Sequence, residues 1–342
     1  MDSSTNDQTP LQRALAMTLE SNDLPGDVLS AALESILDGE APPEQIAALL
    51  TALRIRGETR EHLFAAASTI RRRTAGTPLQ GPLLDTCGTG GDGLGTINVS
   101  SAVSIIAAAA GIRVAKHGNR AVSGKTGSAD VLKAMGVPVE LSMEQAASSL
   151  DQTGYAFFFA PQYHATLRHV ASVRLALGFR TLFNLLGPLV HPAGATHQLV
   201  GVFDPARTED MAWTLGKLGL HRAVVVSGED GMDELTLTGP SRVSLFDGGG
   251  VSTRTMVPQD FGLVPARAND LCGVDAQGNA RQIEAIFGGE VGPKSDLIQA
   301  NAAMALWAAG VVDDPKEGME RVRTLLVQGV VLRTLERIRA FR

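Results

Sequence analysis

The chain has 342 residues, 44% of them hydrophobic and 19% charged, with a formal net charge of -6. That length and balance allow two lobes or domains with substantial cores, and the acidic total excludes a general attraction to nucleic acid or to anionic membrane. The two cysteines, Cys87 and Cys272, are too few for a disulfide framework or a metal cluster and fit a reducing compartment. No apolar run reaches the roughly 18 residues of a membrane span. The polar start MDSSTNDQTP lacks the order of a signal peptide, so a cytoplasmic protein without membrane or nucleic-acid partners is expected.

From Pro10 to Thr74 apolar residues recur at three and four spacings, in LQRALAMTL, DVLSAALESIL, EQIAALLTALRI and HLFAAASTI. This predicts a small all-helical domain, with breaks at Pro25-Gly26, at Gly39 before Pro42-Pro43, and at Gly57. The Arg71-Arg72-Arg73 run reads as cations at a helix C-terminus. Beyond Gly76 the texture changes. Short apolar runs at Leu83-Leu84, Ile112 to Ala115, Ala156 to Phe159, Gln198 to Phe203 and Ala223 to Val226 alternate with helical stretches around 100–110, 128–135, 143–152 and 208–218. Such alternation predicts a larger α/β domain with a mainly parallel central sheet. Two helices, about 168–178 and 181–186, interrupt the rhythm and are expected to rejoin the helical lobe. The predicted division is therefore 1–77, joined by about 168–190, and 78–342. Short β-like runs fill Leu235 to Pro258, and Ser295 to Arg342 is again helical.

Residues 93–129 contain no carboxylate but carry Arg113, Lys116, Arg120 and Lys125. They follow Asp85-Thr86-Cys87-Gly88-Thr89-Gly90-Gly91-Asp92-Gly93, whose glycines let backbone N–H groups converge on one point. Together the two stretches predict a site for several phosphate oxygens. Gly88 to Gly93 also satisfies the dinucleotide fingerprint literally. That fingerprint needs an acidic residue roughly 20 positions on, and none stands between Asp92 and Asp130. Gly118 to Thr126 imitates a nucleotide P-loop, yet five residues separate its glycines where the motif requires four. What remains is a glycine loop and then Asn98-Val99-Ser100-Ser101 at a helix start, with Asn98 as N-cap, where free N–H groups and the helix dipole favour anions. The run from Lys116 to Asp130 leaves a strand end and enters a helix near Ser128. In an open parallel sheet both loops emerge where ligands bind. Glu229, Asp230, Asp233 and Glu234 crowd four carboxylates into six residues, a pattern that suits either a solvated turn or a divalent cation.

In order along the chain, DTCGTGGDG, NVSSA, KHGNRAVSGKTGSAD, RLALGFRTLFNLLGPL and GMDEL resemble the blocks of the anthranilate phosphoribosyltransferase family. The resemblance covers nearly the whole chain. It implies a fold like that of the nucleoside phosphorylases and phosphoribosyltransferases, with substrates meeting in a cleft between a small helical and a larger α/β domain, and a homodimer formed through the helical domain. It implies transfer of the phosphoribosyl group of phosphoribosyl pyrophosphate (PRPP) to the amine of anthranilate, releasing pyrophosphate, with magnesium as two ions. Carried over residue by residue, it makes Gly88, Gly91, Asp92, Thr96, Asn98, Ser100, Ser101, Lys116 and Ser128 the PRPP-binding positions. Asp233 and Glu234 become metal ligands, with the Ser100 hydroxyl helping. Arg174 matches the arginine that holds the anthranilate carboxylate, although from the residues alone Arg168 and Arg180 are equal candidates. Asn119, His117 and Gly88 complete the acceptor site. No acid or base is assigned, because an aniline nitrogen is already unprotonated near neutrality and needs little activation.

The chain departs from the family pattern at Ala165 and Ser172, where proline is frequent, and at Gly124, where serine is common. These departures touch the outer acceptor path and one loop contact. A pyrimidine nucleoside phosphorylase-like enzyme and a non-catalytic nucleic-acid-binding relative are the alternative readings, separable by thymidine phosphorolysis and by a salt-sensitive gel shift respectively.

Overall fold

The computed structural model describes residues 8–21, 24–120 and 126–341. In chain order its elements are α1 (Pro10–Glu20), α2 (Gly26–Leu37), α3 (Pro43–Arg56), α4 (Arg60–Arg72), β1 (Leu84–Gly88), α5 (Val99–Ala109), β2 (Val114–Gly118), α6 (Ser128–Ala134), α7 (Met143–Thr153) and β3 (Tyr155–Phe159). There follow α8 (Ala160–Tyr163), α9 (Arg168–Leu177), α10 (Phe183–Leu186), β4 (His197–Gly201), α11 (Thr208–Lys217), β5 (Arg222–Gly228), β6 (Ser241–Phe246), β7 (Val251–Met256), α12 (Ala276–Phe287), α13 (Pro293–Ala308), α14 (Pro315–Val327) and α15 (Val330–Arg339). The chain forms two compact units, one of Met1–Ala75 with His164–Val190 and the other of Gly76–Tyr163 with His191–Arg342. No helix of the described residues is long and apolar enough to cross a membrane.

The first unit is helical. Thr9 and Thr59 begin α1 and α4 with capping boxes, each hydroxyl accepting the N–H three residues on, which satisfies donors a helix start otherwise leaves open. The buried faces meet through Leu11, Leu29, Leu33, Ile36, Leu49, Leu53, Leu63 and Ile70. Arg71 Nε donates to the Leu189 carbonyl at 2.7 Å, so this arginine closes the unit on its returning segment.

The second unit is an α/β fold. Its sheet has the order β3-β2-β1-β4-β5-β6-β7. The pairs from β3 through β5 are parallel, and the last two are antiparallel. The expected parallel sheet is thus present, and the β-like region after Leu235 resolves into two strands that extend it by hairpin pairing. Leu235 to Pro240 are not strand: Leu235 and Leu237 are buried in the β5–β6 connection. The order reverses between β1 and β4, and in such sheets the crevice beyond the carboxyl ends of the two central strands is where ligands bind. One face of the sheet is covered by α5 and α13, with α15 packed on α5, and the core there includes Val103, Ile106, Leu297, Met304 and Leu335. α13 is buried from Leu297 to Ala308, and its many alanines allow close approach of the neighbouring helices. The opposite face carries a smaller cluster with Leu83, Leu141, Leu150, Phe158 and Tyr163. α12 is an addition to the predicted elements. It starts at Asp275, whose carboxylate accepts the Gly278 N–H at 2.6 Å, and buries Ala280, Ile283, Ile286 and Phe287.

Where β1 and β4 end, side chains would obstruct the site. A Cβ at Gly201 would overlap the Asp233 carbonyl, and one at Gly88 would overlap the Asp233 carboxylate. Backbone cannot yield as a flexible side chain can. Gly201→Ala is therefore expected to cost at least about 2 kcal/mol, read as a lowered urea midpoint with an unchanged slope.

Candidate active site

The glycine loop leaves β1 at Gly88. Gly90, Gly91, Gly93 and Gly95 all adopt positive φ, between 62° and 76°, a region open to glycine at no steric cost. The loop is fixed at both ends: Thr89 N–H donates to the Gly201 carbonyl at 2.9 Å, and Gly90 N–H donates to Asp233 Oδ2 at 2.7 Å. Asp92 sits within the loop with its carboxylate accepting Leu94 N–H at 3.2 Å. Thr96 forms an isolated antiparallel bridge with Cys272.

α5 then begins, and here the structure corrects one expectation. Asn98 occupies the N-cap position but makes no capping hydrogen bond. Its Oδ1 instead accepts from Thr126 Oγ1 at 3.1 Å and from Asn279 Nδ2 at 2.8 Å. No side-chain cap therefore covers the helix start, where amides and dipole favour an anion. Ser101 Oγ is buried without a hydrogen-bond partner. Ser100, partly exposed, accepts a hydrogen bond at Oγ from Lys116 Nζ at 3.2 Å.

Lys116 and His117 lie within β2, not in the loop beyond it. Their register partners on β3 are Phe157 and Phe158. Alternation along the strand sends them to opposite faces. Lys116, 1% exposed, donates to the Thr86 carbonyl and to Ser100. The His117 ring packs edge-on against His191 at 5.7 Å, and its backbone N–H donates to Asp85 Oδ1 at 2.9 Å. Asp85 is held from its other oxygen by Gln198 Nε2 at 2.9 Å. Burial lowers the Lys116 pKa, while Asp85, Cys87 and Glu234 oppose that shift.

Among the described residues, Arg113 and Arg120 of the acid-free stretch are engaged elsewhere. Arg113 precedes β2, at the strand end remote from the loops, and is bound to the Gln80 carbonyl and Asp151. Arg120 pairs with Glu140 and lies over the Phe159 ring at 5.6 Å. Lys125 and Gly124 fall outside the described residues. Both arginines serve surface ion pairs. Asn119 Oδ1 accepts Arg120 N–H at 2.8 Å, and its carbonyl accepts Ser128 Oγ at 3.2 Å. Ser128 opens α6, and its hydroxyl lies so close to β2 that a Cβ at Gly118 would overlap it, while also meeting the Phe157 ring of β3 at 2.9 Å.

The acidic run splits in two. Glu229 is exposed, and Asp230 builds the turn, accepting the Thr236 and Thr238 hydroxyls at 2.7 and 2.6 Å. Asp233 and Glu234 point inward. Glu234 is 8% exposed, and its carboxyl is pushed well above the ordinary range by burial and by Asp233, against the pull of Lys116 and the Ser100 N–H. Burial raises Asp233 too, helped by Asp92. Asn301 on α13 clamps the next residue from both sides, donating to the Leu235 carbonyl at 2.9 Å and accepting its N–H at 3.0 Å. Sequence reasoning gave no role to Asn301, Asp85 or Asn279. Their only signal was a polar residue among apolar helical or strand neighbours.

These donors are all hard oxygens. Among the described residues no group of three or more His, Cys, Asp and Glu side chains could hold a metal alone. A half-buried and a buried carboxylate, Asp233 and Glu234, with one nearby lysine carry surplus negative charge, and they fit a hard divalent cation that completes its shell with water and ligand oxygens. Arg174 lies in the helical unit on α9, half-buried, with its guanidinium 5.8 Å from the Phe183 ring centroid. Arg168 opens the same helix, and Arg180 follows it.

The fold and site place the chain in a class. Residues 80–332 match the a/b domain of a glycosyl transferase family, and residues 12–74 match the helical bundle domain of that family. The anthranilate phosphoribosyltransferase of Brevibacillus brevis is 45% identical over 330 residues, covering 96% of this chain and 97% of its own. The crystal structure of the Thermus thermophilus enzyme of that name superposes with a TM-score of 0.90 at 38% identity, covering 98% and 99% of the two chains. The Saccharomyces cerevisiae enzyme in complex with PRPP and Mg does so at 0.85 and 25% identity, over 97% of each chain. The chain belongs to the anthranilate phosphoribosyltransferase family.

Raised carboxyl pKa values have a consequence for stability without any metal. Between the unfolded carboxylate pKa near 4 and the higher folded value, the native state binds more protons than the unfolded chain, so this contribution erodes stability as pH rises. In chelator-treated protein, Asp233→Asn is expected to lose stability relative to wild type at pH 5 and to recover or exceed it at pH 8. Urea melts at the two pH values check the sign.

Proposed function

We infer that the protein transfers the phosphoribosyl group of PRPP to the amine of anthranilate, giving N-(5-phosphoribosyl)anthranilate and pyrophosphate, the second step of the tryptophan branch. The observation that carries this reading is the uncapped start of α5 beside the glycine loop, facing the inward carboxylates of Asp233 and Glu234 at the switch point of the sheet. Anion-binding amides and a cation site in one crevice suit a substrate with a charged leaving group. A nucleoside phosphorylase or a nucleic-acid-binding relative is not favoured by the named relatives, which are anthranilate phosphoribosyltransferases along nearly their whole length.

In this reading Gly88, Gly91, Asp92, Thr96, Asn98, Ser100, Ser101, Lys116 and Ser128 form the PRPP site. Amides of the glycine loop and of the α5 start receive phosphate oxygens, and Lys116 supports Ser100 from beneath. Asp233, Glu234 and the Ser100 hydroxyl would hold magnesium, as two ions, which supplies neutralisation of the charge that grows on pyrophosphate as the C1–O bond breaks. Arg174 takes the acceptor carboxylate, Asn119 orients the ring, and Gly88 and His117 complete the acceptor site. The amine attacks without a strong base. Rate acceleration comes from orientation and charge stabilisation in an oxocarbenium-like displacement.

We further propose a homodimer through the helical unit, where Leu19 and Ile55 are 61% and 79% exposed. They flank a hollow of about 380 Å³ with Ala52 and Arg56. Sedimentation equilibrium is the test. A cytoplasmic location agrees with two unpaired cysteines.

The decisive assay is the loss of anthranilate fluorescence on mixing enzyme, PRPP and magnesium. Arg174→Ala is expected to raise the KM for anthranilate by roughly ten-fold or more with a much smaller effect on that for PRPP, and equal effects would remove the assigned role. The double variant Asp233→Ala with Glu234→Ala is expected to lose most turnover and to shift the magnesium dependence. An unchanged magnesium titration would reduce the cluster to a turn.

A further inference from the structure

Two segments distant in sequence flank the phosphate site inferred above, residues 95–98 ahead of α5 and 126–128 at the start of α6. A third segment splints them. Leu271 accepts the Ile97 N–H at 3.1 Å, Gly273 N–H donates to the Gly95 carbonyl at 2.8 Å, and Thr96 bridges Cys272. The approach is so close that a Cβ at Gly273 would stand 2.8 Å from both the Thr96 carbonyl and Asn279 Nδ2.

Asn279 completes the splint from the first turn of α12. It is fully buried, at 0% exposure. Its Oδ1 accepts the Val274 N–H at 2.7 Å, which fixes the amide orientation because that partner can only donate. The two remaining hydrogens are thereby aimed at the two loops: Nδ2 donates to Asn98 Oδ1 at 2.8 Å and to Thr126 Oγ1 at 3.3 Å. Thr126 Oγ1 in turn donates to the same Asn98 oxygen at 3.1 Å, and Asn98 Nδ2 reaches the Thr126 carbonyl at 3.4 Å. The result is a closed triangle of side chains, one from each segment. Only a primary amide can accept on one side and donate twice on the other. Aspartate has the shape without the donors, and leucine has neither function.

We propose that Asn279 is a positioning residue for PRPP: it holds Asn98 and Thr126 together, keeps the Asn98 side chain off the α5 start, and so sets the spacing of the two phosphate-gripping loops. It acts through Asn98 and Thr126 and touches no substrate. The proposal rests on the PRPP reading above. Its energetic logic is pre-organisation, since a loop pair already at the bound separation need not be ordered when the ligand arrives.

Steady-state kinetics of Asn279→Leu, Asn279→Asp and Thr126→Val, with thermal melts and amide hydrogen exchange of the substrate-free proteins, provide the test. Both Asn279 variants are expected to raise the KM for PRPP by roughly ten-fold or more while that for anthranilate stays within about two-fold, and exchange should quicken at 95–98 and 126–128. Thr126→Val should give a smaller rise, and Asn279→Leu combined with Thr126→Val should be little worse than Asn279→Leu alone, because both cut one triangle. A lowered melting temperature with both Michaelis constants unchanged, or an equal rise in both, overturns the proposal. Should the Asn279 variants not fold, Thr126→Val decides by the same split. Unchanged exchange in either loop sinks the clasp irrespective of substrate, whereas an inactive wild-type protein whose loops still loosen on substitution sinks only the transferase reading.

Discussion

The close approach of the β5–β6 connection to the ends of β1 and β4 is the constraint on which the site depends. Gly88 and Gly201 leave room for Asp233 to lie across the strand ends, and its carboxylate receives the Gly90 N–H. The glycine loop is thereby tied to the acidic turn. Asn301 holds the turn from behind through both polar atoms of the Leu235 backbone, so the position of two carboxylates is set by a core helix. A mobile surface turn could not keep two inward acids facing a helix start.

Electrostatics explains why this geometry calls for a cation. Asp85 and Glu234 act on one buried ammonium, that of Lys116, and Asp233 acts in turn on Glu234. Burial penalises the charged forms of Lys116, Asp233 and Glu234. Lys116 offsets part of the negative surplus and is itself committed to Thr86 and Ser100. What remains suits a small hard ion that brings its own waters.

The alternation of strands and helices, the helical first segment and the glycine loop were all legible in the sequence, because each rests on local periodicity or on a residue type with a single conformational use. Several things were not. The acid-free run carries four cations, but charge along a chain says nothing of which strand end a residue occupies, and Arg113 lies at the end remote from the loops. Asn98 looked like a helix cap, as its residue type and position allow. Its true partners, Thr126 and Asn279, stand 28 and 181 residues away, a separation beyond any local pattern. The carboxylate run divided between a turn-building Asp230 and the inward Asp233 and Glu234, a split decided by burial. α12 went unassigned because its apolar stripe follows a stretch without strand or helix periodicity.

The placement of Lys116 also bears on how the strands align during folding. Parallel pairing of β2 with β3 sets Lys116 beside Phe157 and His117 beside Phe158. A slip of one residue would turn every side chain of β2 to the other face. It would drive an ammonium into the cluster of Leu83, Leu150, Phe158 and Tyr163, far from the carbonyl and hydroxyl that accept its protons. An uncompensated charge in such a place is costly, so the misaligned sheet is rejected. A single basic side chain thus doubles as an indexing pin for the sheet.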